Sequence, residues 1–313
     1  MELLERYKGS LVGLAVGDAL GAPYEFFPKR MIKARVTGMI SGGKHGLPKG
    51  FWTDDTTQML LLAMSLIEKK GFDPRDQLEK YLKWMKTGYM SSTGYCFDIG
   101  KTTRDALLEF EITGREYSTF VDGAGNGCIM RLAPVPMYFR EDPGNAIEMS
   151  GLSAKTTHGS ITAVDSARYL GAILVGLLNG DSKETVLSEN YAPLKGYWQE
   201  KPLVGQVARL AAGSFKDITE EEAANSFLAV EALETALWAF HKTSNFMDGA
   251  LLIVRNGGDA DTVAAIYGQI AGAYYGYGAI PQEWRDDLHD IERIEQLALE
   301  LFEKNSTCEK LKS

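Results

Sequence analysis

The amino-acid sequence predicts an all-α protein that forms a single compact domain. Apolar residues recur with helical spacing along most of the chain, whereas segments that alternate with a period of two, as strands do, are scarce. No change of composition marks a domain boundary, and no repeat at a solenoid period is present. A chain of 313 residues is long enough to bury a substantial core in one large domain.

Four segments predict long helices. DDTTQMLLLAMSLIEKK begins with carboxylates and ends with lysines, as the helix dipole favours. The next segment offers Asp73 as N-cap, Pro74 at the first helical position and Gly88 as the stop. SITAVDSARYLGAILVGLL predicts a buried helix, and a fourth helix is predicted to begin at a capping box of Thr219 and Glu222. The apolar face of this fourth helix comprises Phe227, Val230, Leu233, Leu237 and Phe240.

Loops are expected between these helices. We predict them at residues 38–49, 115–125, 141–144 and 181–202, and the last is long enough to carry short structure of its own. The polar tail, residues 303–313, is expected to be solvated and frayed.

Composition and charge exclude several classes of protein. The net charge of −9 and the lack of a basic block argue against binding to nucleic acid. Cys96, Cys128 and Cys308 form no CxxC pair, so neither a disulfide framework nor a zinc site is indicated, and free thiols suit the cytoplasm. Asp18 interrupts the apolar stretch near the N-terminus, which argues against a signal peptide. We expect no apolar run of the roughly 18 residues that a membrane helix needs.

Two sets of glycines recur at every fourth residue. A glycine inside a helix costs about 1 kcal/mol relative to alanine, and several on one face allow another backbone to approach closely. Tight core packing without any functional role predicts the same pattern. We expect the two glycine faces to pack together and to bring distant carboxylates into one place. The two sets are Gly13, Gly17 and Gly21, and Gly268, Gly272 and Gly276.

Three acidic motifs stand at or near the ends of these helices: GDALGAPYEF, WTDDTT and GGDADT. Helix capping accounts for acids and threonines at such positions, at about 0.3–1 kcal/mol for each acid. A cap needs one side chain, however, and the last two motifs each supply two carboxylates flanked by hydroxyls. Carboxylates so close together repel each other unless a cation or several donors compensate.

The chemistry of these motifs indicates a metal centre. Their side chains offer hard oxygen atoms without Cys or His, which favours Mg²⁺, Mn²⁺ or Ca²⁺ over zinc or copper. Two carboxylate pairs on separate helices are sufficient for a site of two ions about 3.5–4 Å apart.

A glycine-rich segment, GAGNGC, offers a place for an anion. Gly123, Gly125 and Gly127 alternate, so that several backbone N–H groups can point at one phosphate, and a helix directly after them would add the attraction of its dipole. An ordinary helix entry is the competing interpretation.

Five motifs in this order resemble the ADP-ribosylglycohydrolase family, and in particular its members similar to the dinitrogenase-reductase-activating glycohydrolase. They are GLAVGDALGAPYEF, WTDDTTQMLLLA, GNGCIMRLAPVP, TTHGS and GGDADTVAAIYGQIAGAYYG, and the resemblance covers about residues 7–280. It implies an all-α fold, a centre of two Mg²⁺ or Mn²⁺ ions, and release of ADP-ribose from modified side chains.

The resemblance also implies roles for individual residues. The metal ligands would be Thr53, Asp54, Asp55, Asp259, Asp261 and Thr262. The substrate would contact Glu25, Asp98, Gly123, Gly125, Asn126, Gly127 and His158. Ala124 stands where some members have an aromatic residue before the GNG.

The proposed reaction is hydrolysis at the anomeric carbon of the ribose. Asp55 or Asp261 would accept the proton of the attacking water, and Asp98 or Glu25 would assist the leaving group; the sequence does not choose within either pair. We expect an arginine linkage, because CFDIG with Asp98 most resembles the arginine-specific branch. Serine and other linkages are the alternatives. The expected partner is an ADP-ribosylated protein or peptide, with ADP-ribose as product.

Two other classes of function share part of this pattern. Isoprenoid diphosphate synthases are also all-α and use two aspartate-rich motifs, but they need a third acid one turn after the first pair, where this chain has Gln58. An immunity protein that binds an ADP-ribosylating toxin is compatible with an intact metal site.

Overall fold

Helices account for the regular structure of the described residues. The computed structural model describes residues 1–32 and 36–312, with the side chains of residues 305–312 left aside, and within that part no strand is formed. Short 3₁₀-helices span Ala22–Tyr24, Asn126–Cys128, Ser214–Lys216 and Tyr277–Ala279. The α-helices are α1 (Leu3–Gly21), α2 (Lys29–Ile32), α3 (Asp54–Lys69), α4 (Pro74–Thr87), α5 (Lys101–Thr113), α6 (Pro134–Tyr138), α7 (Pro143–Lys155), α8 (Ile161–Leu178), α9 (Lys183–Val186), α10 (Tyr197–Glu200), α11 (Gly205–Ala211), α12 (Ala229–Lys242), α13 (Phe246–Val254), α14 (Ala260–Tyr275), α15 (Gln282–Asp287) and α16 (Ile291–Lys312).

The centre of the fold is an antiparallel pair, α1 against α14, in direct backbone contact. A Cβ atom on Gly13 would lie 2.5 Å from the carbonyl oxygen of Gly268, and one on Gly268 would lie 2.0 Å from that of Gly13. Such distances exclude any side chain, so only glycine permits this approach. Helices α8, α12 and α13 pack around α14, and α16 packs on α1. The predicted contact between the two glycine faces is therefore confirmed.

The contact between α1 and α14 includes residues outside the two predicted glycine sets. Gly272 lies against Gly9, a glycine that the predicted set leaves out. Gly17 lies against Ala264 and Gly21 against the backbone of Asp261. Gly276 ends α14 with a φ of 84°, and its carbonyl carbon would lie 2.8 Å from a Cβ on Gly9. The contact thus runs from Gly9 to the first turn of α14, where the acidic motif begins.

Three of the four predicted helices are found close to their expected limits. In α4 the carboxylate of Asp73 accepts the N–H of Asp76 at 3.0 Å, and Gly88 ends the helix with a φ of 70°. The prediction for the fourth was wrong at its start, because α12 begins at Ala229. Thr219 and Glu222 do form their reciprocal hydrogen bonds, but these stabilise a turn within residues 217–228 and no helix follows directly.

Helix α8 corrects the expectation about apolar runs. By length and composition Ile161–Leu178 could cross a membrane, and 78% of it is buried inside the protein, as in the core helix of a globular fold. The long segment 181–202 carries the short helices α9 and α10. Helix α16 continues to Lys312, so the backbone of the polar tail is helical. We also expect the side chains of this tail to be solvated. From residue 305 onwards these side chains lie outside the described part of the structure.

Candidate metal centre and active site

The WTDDTT motif lies at the start of α3, where Asp18 of α1 orients it. The buried carboxylate of Asp18 accepts the N–H and the hydroxyl of Thr53, each at 2.9 Å. Its other oxygen accepts the N–H of Thr56 at 3.0 Å and the hydroxyl at 2.7 Å. Asp18 therefore satisfies backbone donors that the start of a helix leaves open. Asp54 and Asp55 are therefore not needed to cap the helix.

The GGDADT motif begins with two glycines in the left-handed backbone conformation, and these lead its aspartates to the site. Gly257 and Gly258 have φ values of 66° and 64°, and a Cβ on Gly257 would lie 2.0 Å from the carbonyl oxygen of Phe27. The N–H of Phe26 donates to the carbonyl of Gly258 at 2.7 Å. The segment after Glu25 is thereby joined to the segment before Asp259.

These contacts gather the predicted carboxylates into one buried cluster. Oxygen atoms of Glu25, Asp259 and Asp261 lie within 4.8 Å of one another, and the hydroxyl of Thr262 donates to Asp55 at 3.4 Å. Every side chain of the cluster is at most 7% exposed. Its members are Glu25, Thr53, Asp54, Asp55, Asp259, Asp261 and Thr262.

Burial and mutual repulsion shift the titration of this cluster. Burial, followed by the charge of Asp98, raises the pKa of Glu25 to about 8. Burial raises the pKa of Asp259 to about 7, although a hydrogen bond from Asn126 opposes the shift. The pKa values of the aspartates at 54, 55 and 261 are also well above their usual range, first because of burial and then because of neighbouring carboxylates. Only added positive charge would let all these groups ionise together.

The residues fit a divalent cation. One oxygen each of Glu25, Asp55 and Asp261 is buried without a hydrogen-bond partner. An unpaired buried carboxylate oxygen is costly, and these oxygens belong to side chains that converge. The donor set consists of hard oxygens, which suit Mg²⁺ or Mn²⁺. The cluster can therefore hold divalent metal.

The glycine-rich segment lies beside the GGDADT motif. The amide of Asn126 donates to Asp259 at 2.5 Å and to the carbonyl of Ser226 at 3.0 Å. His158 lies beneath the segment, because a Cβ on Gly125 or Gly127 would lie 3.3 or 3.2 Å from its ring. The glycines therefore allow close approach of this ring.

The expected anion nest differs from the structure in two respects. The N–H of Asn126 donates to the carbonyl of Phe227 at 2.9 Å, so it is not free to meet an anion. Only a single 3₁₀ turn follows Gly125, which provides no extended helix dipole. In addition, Gly123 lines a small cavity of about 260 Å³ beside Thr102, whereas Gly125 and Gly127 line a different one.

A cavity of about 340 Å³ opens onto the carboxylate cluster. Asp98, in a loop with a φ of 57°, stands in its wall and pairs with His45 at 3.0 Å and with Lys44 at 3.7 Å. His45 also approaches Glu25 at 3.5 Å. Of the predicted site residues, those that line the cavity are Glu25, Asp54, Asp98, Gly125, Asn126, Gly127, His158, Asp259 and Thr262. Thr53, Asp55 and Asp261 are buried and are not in its lining.

Sequence reasoning missed several residues of the site. Phe227, predicted in the apolar face of α12, is 53% exposed and stacks on Phe26 at 5.6 Å in the cavity wall. His45 carries no local signal beyond a glycine-rich neighbourhood. The hydrogen-bonding role of Asp18 was also missed, although the motif that contains it was singled out.

Comparison with known proteins identifies the family to which this fold belongs. The family model for ADP-ribosylglycohydrolase matches residues 1–310. This chain belongs to the ADP-ribosylglycohydrolase family. A solved structure titled "ADP-ribosylglycohydrolase-related protein complex" superposes with a TM-score of 0.85 at 40% identity, covering 97% of this chain and 99% of that one.

Curated relatives within the family carry more specific names. The chain is 41% identical to ADP-ribosylarginine hydrolase Tri1 of Serratia proteamaculans, over 96% of this chain and 80% of that protein. It is 36% identical to the protein of the same name from Pseudomonas putida, over 99% of this chain and 81% of the relative. It is 29% identical to the ADP-ribosyl-[dinitrogen reductase] glycohydrolase of Rhodospirillum rubrum, over 91% and 90%.

Proposed function

We propose that this protein is a metal-dependent hydrolase that removes ADP-ribose from modified arginine side chains of proteins or peptides. The observation that carries the proposal is the buried carboxylate cluster beside a cavity, in which one oxygen each of Glu25, Asp55 and Asp261 accepts no hydrogen bond. Membership of the ADP-ribosylglycohydrolase family supports the glycosidic bond as the bond that is cleaved.

Two Mg²⁺ or Mn²⁺ ions are the proposed cofactors. Thr53, Asp54 and Asp55 would hold them from the start of α3, and Asp259, Asp261 and Thr262 from the start of α14. When bound, such ions orient ribose hydroxyls and lower the pKa of a bound water.

The protein's own groups account for the remaining chemistry. As the bond to the anomeric carbon breaks, positive charge develops on the ribose, and the surrounding carboxylates stabilise it. Asp55 and Asp261 are the proposed acceptors of the water proton, because each keeps one buried oxygen without a partner. Glu25 is a proposed proton donor to the leaving group, since it lines the cavity and one of its oxygens accepts no hydrogen bond. Asp98 would then hold the leaving group by charge.

The arginine linkage rests on Asp98 and on the names of the relatives. Asp98 offers a carboxylate in the cavity wall, and a guanidinium forms strong charge-assisted hydrogen bonds with such a group. In the free protein this carboxylate pairs with His45 and Lys44, which a guanidinium would have to displace. The Serratia and Pseudomonas relatives are named ADP-ribosylarginine hydrolases.

The test is hydrolysis of matched peptides that carry ADP-ribose on arginine or on serine, with and without Mn²⁺. We expect release of ADP-ribose from the arginine peptide, dependent on the metal. Asp98→Asn should lower turnover of this peptide far more than it lowers the affinity for free ADP-ribose. Asp122→Asn, an exposed position of the neighbouring loop, is the matched control. Brisk cleavage of the serine peptide with none of the arginine peptide would contradict the proposed linkage.

A further inference from the structure

Arg131 is a fully buried arginine behind the carboxylate cluster. One of its terminal nitrogens donates to the side-chain oxygen of Gln58, and the other donates to the hydroxyl oxygen of Thr157 at 2.6 Å. Its guanidinium lies over the ring of Tyr81, 4.6 Å from the ring centre. A guanidinium carries only donors, so Gln58 and Thr157 must both act as acceptors towards it.

On the metal side, this contact decides how the amide of Gln58 points. Because the amide oxygen accepts from Arg131, the amide nitrogen faces the other way, where it donates to Asp54 at 2.6 Å. A reversed amide would set two donors against each other at Arg131 and two acceptors against each other at Asp54. Arg131 therefore fixes the direction of a hydrogen bond to a predicted metal ligand.

On the substrate side, Arg131 is connected to His158 through the hydroxyl of Thr157. The hydroxyl of Thr157 accepts from Arg131 and has one hydrogen to donate, and the Nδ1 atom of His158 lies 2.8 Å away. Nδ1 is the other partner of this hydroxyl among the described residues, and a hydroxyl hydrogen directed at it makes Nδ1 an acceptor and places the proton of the neutral ring on Nε2. Burial and the charge of Arg131 lower the pKa of His158 to about 3, in keeping with a neutral ring.

The Nε2 atom lies on the side of the ring that faces the glycine-rich segment. It is 3.3 Å from the position of a Cβ on Gly125, and His158 lines the same cavity as Glu25 and Asp259. With its proton on Nε2, the ring presents an N–H donor to this cavity. The opposite tautomer would present a lone pair, which repels the oxygen atoms of a ribose or a diphosphate.

We propose that Arg131 is a positioning residue that sets the tautomer of His158 through Thr157 and the orientation of Gln58 towards Asp54. The identity of the ligand as ADP-ribose rests on the proposed function, whereas the tautomer does not. The competing interpretation is that Arg131 only fills space in the core, in which case the tautomer of His158 is independent of it.

The test is long-range ¹H–¹⁵N NMR of the histidine rings in the free protein. The protein has four histidines, and the His158 signals are assigned by their loss in His158→Gln. Wild type should carry the proton of His158 on Nε2. Thr157→Val removes the connecting hydroxyl and should produce a mixture of tautomers, whereas Thr157→Ser should restore the wild-type spectrum. Arg131→Met should resemble Thr157→Val, and the two Thr157 variants decide the outcome if Arg131→Met does not fold.

Binding provides a second measurement. Thr157→Val should weaken ADP-ribose binding about tenfold, in line with the loss of one hydrogen bond, and Thr157→Ser should stay near wild type. A proton on Nδ1 in wild type, or an unchanged Nε2 tautomer in both Thr157→Val and Arg131→Met, would overturn the proposal. A wild type with the Nε2 tautomer that binds no ADP-ribose would support the hydrogen-bond relay and contradict the proposed function instead.

Discussion

The carboxylate of Asp18 accepts both the backbone N–H and the hydroxyl of Thr53, each at 2.9 Å. One buried acid of α1 thus determines where α3 begins and how its two aspartates enter the site. The hydroxyl proton of Thr53 is used in this contact, which leaves the lone pairs of its oxygen for a cation.

Asp18→Asn should weaken metal binding, although residue 18 is not a proposed metal ligand. The new amide group can accept at one atom only, so the donors of Thr53 or those of Thr56 lose their acceptor, at a cost of about 1–3 kcal/mol in stability. The apparent Kd for Mn²⁺, measured by calorimetric titration, should rise. Asp286→Asn, an exposed change with the same loss of charge, serves as control. Equal Mn²⁺ affinity in both variants would argue against the orienting role of Asp18.

Asp55→Ala and Asp261→Ala should each abolish hydrolysis, by more than about a hundredfold, while the fold survives. Each removes a proposed ligand and one of the mutually repelling groups that raise the pKa values of the cluster. In EDTA both variants should therefore melt at or above the temperature of wild type. Thermal melting in EDTA and in Mn²⁺, together with turnover, checks this. Full turnover by either variant in saturating Mg²⁺ would exclude a centre that depends on both motifs.

Without cations, stability should fall as the pH rises from about 5 to about 8. The pKa values of Glu25 and Asp259 are raised from 4.5 and 3.8 to about 8 and about 7. In this interval the folded protein binds protons that the unfolded chain has already released, so a higher pH favours unfolding.

Urea denaturation in EDTA at several pH values measures this dependence, and the fall should exceed about 1 kcal/mol. Glu25→Gln and Asp259→Asn should each flatten the pH dependence, and saturating Mn²⁺ should remove most of it at the alkaline end. A metal-free wild type with the same pH dependence as both variants would contradict the assignment to this cluster.

Gly272→Ala should lower metal affinity from a distance. The new Cβ would lie 1.9 Å from the carbonyl oxygen of Gly9, which forces α1 and α14 apart at a cost of at least about 1–3 kcal/mol. Asp18 and Asp261 are on these two helices, so their carboxylates should move relative to each other. A shift of about 1 Å at a reacting centre can cost about a hundredfold in rate.

Gly205→Ala is the matched control, because a Cβ there meets no atom within 4 Å. Melting temperature, Mn²⁺ titration and turnover are compared for the two variants. If Gly272→Ala binds Mn²⁺ as tightly as Gly205→Ala does, the glycine contact between α1 and α14 does not determine the metal affinity of the site.

The amino-acid sequence by itself determined the helical class, most of the helix limits and the motifs of the site. These features are local: a carboxylate start, a proline at the first helical position or a glycine stop acts within a few residues. The motifs TDD, DADT and GNG could be read because each concentrates its chemistry in a short segment.

Only the tertiary structure decided how those segments meet. Helical spacing predicts that a glycine face exists, but the register of α1 on α14, with Gly9 against Gly272 and Gly13 against Gly268, follows from the packing of the whole pair. The capping box at Thr219 failed to predict the start of α12 because local hydrogen bonds there stabilise a turn and leave Phe227 in the cavity wall. The partners of Asp18 and Arg131 lie up to 73 residues away in the chain. A buried polar group must be paired, and the choice of its partner depends on which distant segments the fold brings to it.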